Sequence, residues 1–224
     1  MDKKLFIANW KSHKTAGEAL KFLEYVRDNI TQINLSDKEI IIAPSFTLLP
    51  SCREFINSNS LPVKLSAQNV SSFQEGAYTG EVNAKQIREF ADYVIVGHSE
   101  RRKYMHENES DIDNKVRESK EAGIIVVQCI QDENSQLHKD TDIIAFEPPN
   151  AISTFGVGEA EDPKDMERVF ASVADQLRGR KILYGGSVDS ANIASYAQIN
   201  SCGGFLVGGA SLEPESFISL LTQW

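Results

Sequence analysis

Four polar residues follow apolar, strand-like runs of this sequence, and their types together could catalyse proton transfer. Asn9 and Lys11 come after the run that ends at Ala8, His98 comes after YVIVG, and Glu147 comes after DIIAF. A carboxylate can take a proton from carbon while an ammonium and an imidazole stabilise the oxyanion that develops. Taken singly, each has a simpler explanation as a structural histidine, a solvated lysine or a loop cap. The chemistry depends on whether the fold brings them together.

Two glycine pairs also stand at the ends of apolar runs. Gly185 and Gly186 precede Ser187, and Gly208 and Gly209 follow the last run. Paired glycines let the backbone approach a ligand closely, and helix starts behind them can direct N–H groups at a phosphate. One such pair is more often a tight strand-to-helix turn. Two pairs on the last two strands match the usual phosphate site of a (β/α)₈ barrel.

The elements that must position these residues are short apolar runs, and most of them are continuously apolar, as in strands buried on both faces. There are eight: LFIAN (5–9), EIIIAPS (39–45), KLSAQN (64–69), YVIVGHS (93–99), IIVVQCI (124–130), DIIAFEP (142–148), KILYGG (181–186) and GFLVGG (204–209). Amphipathic helical patterns lie between most of them, for example at 17–30, 162–179 and 213–224. In the second of these, Asp162 suits an N-cap, Pro163 a first helical position and Gly179 the residue past the end.

This alternation predicts a single (β/α)₈ barrel domain over residues 1–224. An open doubly wound sheet is the alternative. It would usually have fewer strands and a glycine-rich loop after the first strand, where this sequence reads NWK. The segment QDENSQLHKDT (131–141) has no room for a full helix. We therefore expect a trimmed unit between strands five and six.

Composition narrows the function classes. The chain has 224 residues, a formal net charge of −9 and a pI of about 5.0. These values argue against a nucleic-acid or acidic-membrane binder, although a local pocket can still bind a small anion. Cys52, Cys129 and Cys202 have neither disulfide nor zinc-ligand spacing, so reduced thiols are expected. With no signal-peptide core and no run of membrane-spanning length, the expected location is the cytoplasm.

The order of several segments resembles that of the triosephosphate isomerase family along the whole chain. The segments are IANWK (7–11), SAQNV (66–70), GAYTGE (76–81), VGHSERR (96–102), AFEPP (145–149), LYGGSV (183–188) and GFLVGGASL (204–212). Any one of them would be weak evidence, but together in register they are highly specific. The resemblance implies interconversion of dihydroxyacetone phosphate and D-glyceraldehyde 3-phosphate, without a cofactor or a metal ion.

The resemblance also implies a role for each strand-end residue. Glu147 matches the base that moves the proton between carbons through an enediolate. His98 matches a neutral imidazole that polarises the carbonyl, and a helix start at SERR favours the neutral form. Lys11 matches the cation that balances the substrate's charge, and Asn9 an oxyanion donor beside it. Glu100 matches the carboxylate that holds the lysine in place.

Further implied roles concern the phosphate, a lid and a second subunit. Ser187, Gly208 and Gly209 match the phosphate cradle, and the backbone N–H of Ser153 would contribute from a lid that follows a stiff Pro-Pro hinge. GAYTGE matches a loop through which Thr79 reaches Asn9 and Lys11 of the partner subunit. A homodimer is then the minimum assembly, and some of the compact archaeal-type members, which share the Glu-Pro-Pro hinge, form tetramers. An ordinary turn rich in small residues would look similar to this loop.

The sequence departs from the family pattern after strand five, where it reads QCIQDE, and in the lid. There PPN replaces a usual P-V-W, and Ser153 and Phe155 stand where glycine is usual. Three hypotheses follow: an active isomerase, a phosphate-binding barrel whose altered lid impairs turnover, and another phosphosugar isomerase or lyase. The third is disfavoured by NWK, GHSERR and Glu147 together, and the first is favoured because every matching chemical residue is present.

Overall fold

The computed structural model describes residues 3–149, 151, 162–177 and 179–224. Eight parallel strands pair in sequence order, and β8 pairs back with β1, which closes a barrel. The strands are β1 Lys4–Asn9, β2 Lys38–Ala43, β3 Val63–Ala67, β4 Tyr93–Val96, β5 Ile125–Ile130, β6 Ile143–Phe146, β7 Lys181–Tyr184 and β8 Cys202–Val207. The predicted barrel is confirmed, and the open doubly wound sheet is excluded because the sheet has no edge.

Helices follow most strands and cover the outside of the barrel. They are α1 Ala16–Asn29, α2 Leu49–Ser58, α3 Ala84–Arg88, α4 Ser99–Tyr104, α5 Glu109–Glu121, α6 Pro163–Leu177, α7 Ile193–Tyr196 and α8 Pro214–Gln223, with 3₁₀ turns at Ile30–Gln32, Phe46–Leu48 and Gly209–Ser211. In the described part of the chain, none of these helices is both long and apolar enough to cross a lipid bilayer.

The connection from β5 to β6, residues 131–142, contains no helix, as its length predicted. The buried carboxamide of Gln128 organises it. Its Nε2 donates to the carbonyl oxygen of Gln136 (2.7 Å), and its Oε1 accepts from the backbone N–H of His138 (3.0 Å) and from the hydroxyl of Thr141 (2.8 Å). One side chain thus satisfies backbone groups that a helix would otherwise have paired internally.

The continuously apolar strands bury side chains on both faces of the sheet. Leu5 and Ile7 of β1 belong to a cluster inside the barrel, whereas Phe6 and Ala8 belong to the larger core between barrel and helices. Alternation along a strand explains this division, because successive side chains point to opposite faces. Hydrophobic side chains fill the barrel interior, so only its carboxyl end is left for chemistry.

The ends of α6 and β4 can be compared with the boundaries that the sequence predicts. Asp162 Oδ1 accepts from the backbone N–H of Lys164 (2.8 Å), Pro163 begins α6, and Gly179 lies beyond its end with φ +82°. The predicted run over 93–99 is longer than β4, which ends at Val96. His98 therefore lies in the turn to α4 and occupies the N-cap position of that helix.

Candidate active site

The loop after β1 carries Lys11 in an unusual backbone conformation. Its φ of +52° lies in the left-handed region that L-residues rarely adopt, so the surroundings must hold it there. The backbone N–H of Lys11 donates to Oδ1 of buried Asn9 (3.1 Å), and its Nζ lies 2.6 Å from Oε1 of Glu100 at the start of α4. The structure therefore brings Asn9, Lys11 and Glu100 together, as the sequence predicted.

Gln68, after β3, supports the same loop. Its Nε2 donates to the carbonyl oxygens of Lys11 and of Ala43, each at 2.8 Å. One amide group thus joins the ends of three strands, β1, β2 and β3, and stabilises the carbonyl orientation that the positive φ of Lys11 requires. The sequence analysis did not assign this role to Gln68, although it lies in the quoted segment SAQNV.

Glu147 and His98 meet across the mouth of the barrel. Nε2 of His98 lies 2.9 Å from Oε1 of Glu147, and both side chains are nearly inaccessible to solvent. The second carboxylate oxygen, Oε2, accepts from the backbone N–H of Ser99 (2.9 Å), the first residue of α4. A carboxylate at a helix N-terminus is favoured by the helix dipole. The predicted base and the predicted imidazole are therefore in direct contact, although β5 lies between their strands.

Two neighbours complete the environment of Glu147. Cys129, near the end of β5, lies beside the Glu147 carboxylate, and burial together with that nearby charge raises the pKa of the thiol. A Cβ on Gly185 would lie 3.0 Å from both Glu147 Cγ and the carbonyl oxygen of Phe146, so only glycine fits there without displacement. Cys129 was predicted only to be a reduced thiol. Its place on the inward face of the adjacent strand, paired with Ala145, was the available signal.

The ionisation of the Glu147–His98 pair follows from these contacts. Burial alone would raise the pKa of Glu147, but the charge and hydrogen bond of His98, with the Ser99 N–H, lower it below its usual value. Burial alone would lower the pKa of His98, but Glu147 and, less strongly, Glu100 raise it. This direction opposes the expected effect of the helix start. The Glu100 N–H is directed at Nδ1 of His98, with 3.3 Å between the nitrogens, so Nε2 is the nitrogen that donates to Glu147. The pair is therefore an ionised carboxylate against an imidazole protonated at Nε2.

The predicted phosphate residues lie on two neighbouring loops. A Cβ on Gly208 would lie 3.3 Å from Lys11 Cε, so this glycine allows the β8 loop to lie against the lysine. Gly209 is exposed and begins the 3₁₀ turn Gly209–Ser211. After β7, the backbone N–H and the hydroxyl of Ser187 both donate to the carbonyl oxygen of Ala151, each at 2.9 Å. Gly208 and Gly209 thus border the Lys11 side of the site, and Ser187 contacts the segment that follows Glu147.

Ser153 and Thr79 are the remaining predicted residues. Ser153, like Phe155, lies outside the described residues. Thr79 lies in the loop between β3 and α3, where it is exposed to solvent. Among the described residues, no three His, Cys, Asp or Glu side chains are grouped so that they could hold a metal ion.

Comparison with known proteins places this arrangement in a family. The family model described as "Triosephosphate isomerase" matches residues 4–224. The chain belongs to the triosephosphate isomerase family. Proteins named triosephosphate isomerase from Thermodesulfovibrio yellowstonii and Chlamydia felis are 38% and 35% identical to it, over 99% of this chain and 99% and 98% of their own lengths. A third, from Mesomycoplasma hyopneumoniae, is 34% identical over 99% of both chains. Membership of the triosephosphate isomerase family therefore extends over the whole barrel and includes every strand end that carries a candidate residue.

Proposed function

We propose that the chain interconverts dihydroxyacetone phosphate and D-glyceraldehyde 3-phosphate by proton transfer through an enediolate. The observation that carries this proposal is the 2.9 Å contact between Glu147 and His98 beside the Lys11–Glu100 pair, in a member of the triosephosphate isomerase family. This set supplies a base, a hydrogen-bond donor and a cation at one barrel mouth, which is what moving a proton between the carbons of a charged substrate requires.

In this proposal Glu147 is the base. It is ionised, because His98 and the Ser99 N–H lower its pKa, and ionisation is needed before it can take a proton from carbon. In the described arrangement its two oxygens are held by Nε2 of His98 and the N–H of Ser99. To act, the carboxylate leaves these donors for the substrate carbon. Nε2–H of His98 and the N–H of Ser99 can then donate to the substrate's oxygens. Movement of the base and binding of the substrate are therefore linked.

His98 and Lys11 would stabilise the oxyanion. His98 presents Nε2–H, because its Nδ1 already accepts a hydrogen bond from the Glu100 N–H. Once Glu147 has moved from the imidazole, the contact that raises the pKa of His98 is lost, and burial favours the neutral ring. Lys11 would balance the phosphate and enediolate charge, with Glu100 fixing its ammonium and Asn9 donating beside it.

The phosphate would bind between the loops after β7 and β8 and a lid that follows Glu147. Pro148 and Pro149 restrict the first step of that segment, and the backbone N–H of Ala151 closes a turn onto the carbonyl oxygen of Pro148 (3.0 Å). We assign this Glu-Pro-Pro segment, of the archaeal type, as the lid hinge. The phosphate donors are Ser187 and the N–H groups of Gly208 and Gly209, with the Ser153 N–H contributed by the lid.

We also propose that the working unit is at least a homodimer, with a tetramer as the larger possibility. The loop that contains Thr79 presents Phe73 and Tyr78 to solvent, with exposed fractions of 46% and 44%, and their rings stack at a centroid distance of 4.3 Å. Exposed Tyr104 ends α4, and exposed Met105 follows it. Exposed aromatic side chains of this size are typical of interfaces. Thr79 would then contact Asn9 and Lys11 of the partner subunit.

The proposed activity is tested by a coupled assay with D-glyceraldehyde 3-phosphate. We expect turnover by the parent chain, and no turnover by the parent would favour the binding-only barrel with an altered lid. Ser153→Gly and Phe155→Gly, assayed beside it, measure what the departures at the lid tip contribute. Unchanged kcat and KM in both variants would contradict a contribution of these two residues to the lid.

The assembly is tested by sedimentation equilibrium of the parent and of Tyr78→Glu. We expect the parent to sediment as a dimer or larger and the variant to shift towards monomer, because a charge would be buried against the partner. A monomeric parent would overturn the proposed assembly without affecting the assignment of the reaction.

A further inference from the structure

Lys14 lies outside the assigned site and joins the loop after β1 to the loop after β8. Both loops border the site at Lys11. Lys14 follows Lys11 in the loop after β1 and directly precedes Thr15, the N-cap of α1. Its φ is +73°, again in the left-handed region that is retained only where the surroundings hold a residue in place. The contacts of its side chain explain how this conformation is held.

The ammonium of Lys14 lies against the loop after β1. Nζ is 5.4 Å from the ring centroid of Trp10 and 5.2 Å from that of Phe22, distances at which a cation is attracted to an aromatic face. Trp10 is fully buried and stands in sequence between Asn9 and Lys11. The cation thus packs on the residue that joins these two site residues.

The same ammonium also reaches the loop after β8. Nζ donates to the carbonyl oxygen of Leu212 at 2.5 Å. The backbone N–H of Leu212 in turn donates to the carbonyl oxygen of Gly209 (3.1 Å), which closes the 3₁₀ turn. Lys14 therefore fixes the far end of the turn whose near end carries the proposed phosphate donors.

Lys14 contacts a backbone carbonyl oxygen although three carboxylates lie in the same groove. Glu18, Glu213 and Glu215 line the groove beside it. Among the described residues none of these carboxylates is ion-paired with Lys14, whose donor is used on a backbone carbonyl instead. A solvated lysine would be expected to remain near the carboxylates, so the observed contact serves to join two loops.

We infer that Lys14 is a positioning residue that sets the separation between the Lys11 ammonium and the phosphate-binding turn at Gly208 and Gly209. The inference rests on the proposed function, because it concerns how the triose phosphate's phosphate group is held. Lys14 does not touch the reacting carbons in this account. Its loss should weaken phosphate binding much more than the proton-transfer step.

The test measures kcat, KM and the affinity for inorganic phosphate in Lys14→Met and in Lys21→Met. Methionine keeps much of the aliphatic stem but removes the cation and the donor. Lys21 is exposed on α1 and lines the same groove, so its replacement makes the same charge change without altering the bridge between loops. In Lys14→Met we expect KM and the phosphate dissociation constant to rise about fivefold to tenfold, with kcat within about twofold, since small displacements of binding groups are costly. Lys21→Met should match the parent.

Two further variants separate positioning from general stability. Lys14→Arg keeps a cation and a donor and should recover most of the parental KM, whereas Lys14→Gln keeps only a neutral donor and should be intermediate. Parental KM and phosphate affinity in Lys14→Met, or equal effects in Lys14→Met and Lys21→Met, would overturn the inference. A parent that binds phosphate but does not turn over would reject the proposed reaction, and the phosphate affinities would still decide the role of Lys14.

Discussion

The two ends of the barrel use charged side chains in different ways. At the carboxyl end, Glu147 and His98 are almost fully buried and contact each other at 2.9 Å. At the amino end, Arg53 pairs with Asp92 at 2.8 Å and Lys120 with Asp142 at 2.6 Å, and all four side chains are partly exposed. The hydroxyl of buried Tyr93 donates to Glu39 at the same end. The buried contact is at the carboxyl end, and the partly exposed ion pairs are at the amino end.

This difference separates activity from stability. The pairs at the amino end join the beginnings of strands to neighbouring helices and loops, so their loss should affect folding alone. At the carboxyl end the carboxylate rests on donors that the substrate is proposed to use, and Lys11 is held in a left-handed conformation for the same site. Polar side chains at the carboxyl ends of barrel strands are typical of catalysis, and contacts at the other end are typical of stability. Substitutions at the two ends can test this division.

The largest effect is expected for Glu147→Asp. Removing one methylene moves the carboxylate back by about one C–C bond, and a misplacement of ~1 Å can lower a rate ~10²-fold. That factor corresponds to about 2.7 kcal/mol in the activation free energy. We expect kcat to fall by at least this factor in the coupled assay while the far-ultraviolet circular dichroism spectrum is kept.

Glu39→Asp is the matched control at the amino end. It makes the same shortening beside Tyr93 and should leave kcat unchanged. Near-parental kcat in Glu147→Asp would contradict the assignment of Glu147 as the base. A comparable loss of kcat in Glu39→Asp would contradict the division between the two ends.

The sequence predicted the barrel, and the grouping of most candidate residues at one end of it, because both depend on local patterns. Continuously apolar runs predict buried parallel strands, and parallel strands place their carboxyl ends on one side. Once the barrel is assumed, Asn9, Lys11, His98 and Glu147 must share one mouth. The 131–141 segment was correctly predicted to lack a helix from its length and composition alone.

The supporting contacts could not be predicted in the same way. The bridge from Gln68 to Lys11 and Ala43, and the contact of Cys129 with Glu147, join residues far apart in sequence. They depend on the register of strand pairing, and continuously apolar runs do not specify it because they lack the polar–apolar alternation that fixes a register. The sequence analysis expected the helix start to favour neutral His98, but the pKa of His98 is raised, because Glu147 rests against the imidazole. The lid tip at Ser153 and Phe155 stays a prediction.

A smaller effect, on stability alone, is expected for Gln128→Leu in the wall of the barrel. This change removes the carboxamide that pairs with three groups of the β5–β6 connection and leaves the His138 N–H and Gln136 carbonyl without it. Buried groups that lose a partner cost ~1–3 kcal/mol, so we expect the free energy of unfolding to fall by about 2 kcal/mol. Urea denaturation measures it.

Gln136→Leu is the control for this prediction. Gln136 is exposed, and in the contact with Gln128 it uses its main-chain carbonyl oxygen. Its side-chain replacement should therefore change the unfolding free energy by less than about 0.5 kcal/mol. Equal denaturation midpoints for Gln128→Leu and the parent would show that the connection does not depend on this carboxamide.

The smallest effect is expected for Tyr93→Phe at the amino end. The Tyr93 hydroxyl donates to Glu39, and its loss should lower the free energy of unfolding by about 1 kcal/mol, the usual value of one hydrogen bond, with kcat unchanged.

Burial, and then the hydrogen bond and charge of Glu39, raise the pKa of Tyr93 above its ordinary value. A phenol whose folded-state pKa is raised stabilises the protein fully below its unfolded pKa of about 10 and loses that contribution as pH rises through the folded value. The stability difference between parent and Tyr93→Phe should therefore be constant from pH 7 to 9 and shrink above pH ~10. Urea denaturation across that range measures it. A stability difference that grows with alkaline pH would contradict the sign of this linkage. A loss of kcat in Tyr93→Phe would show that the amino end of the barrel also contributes to catalysis.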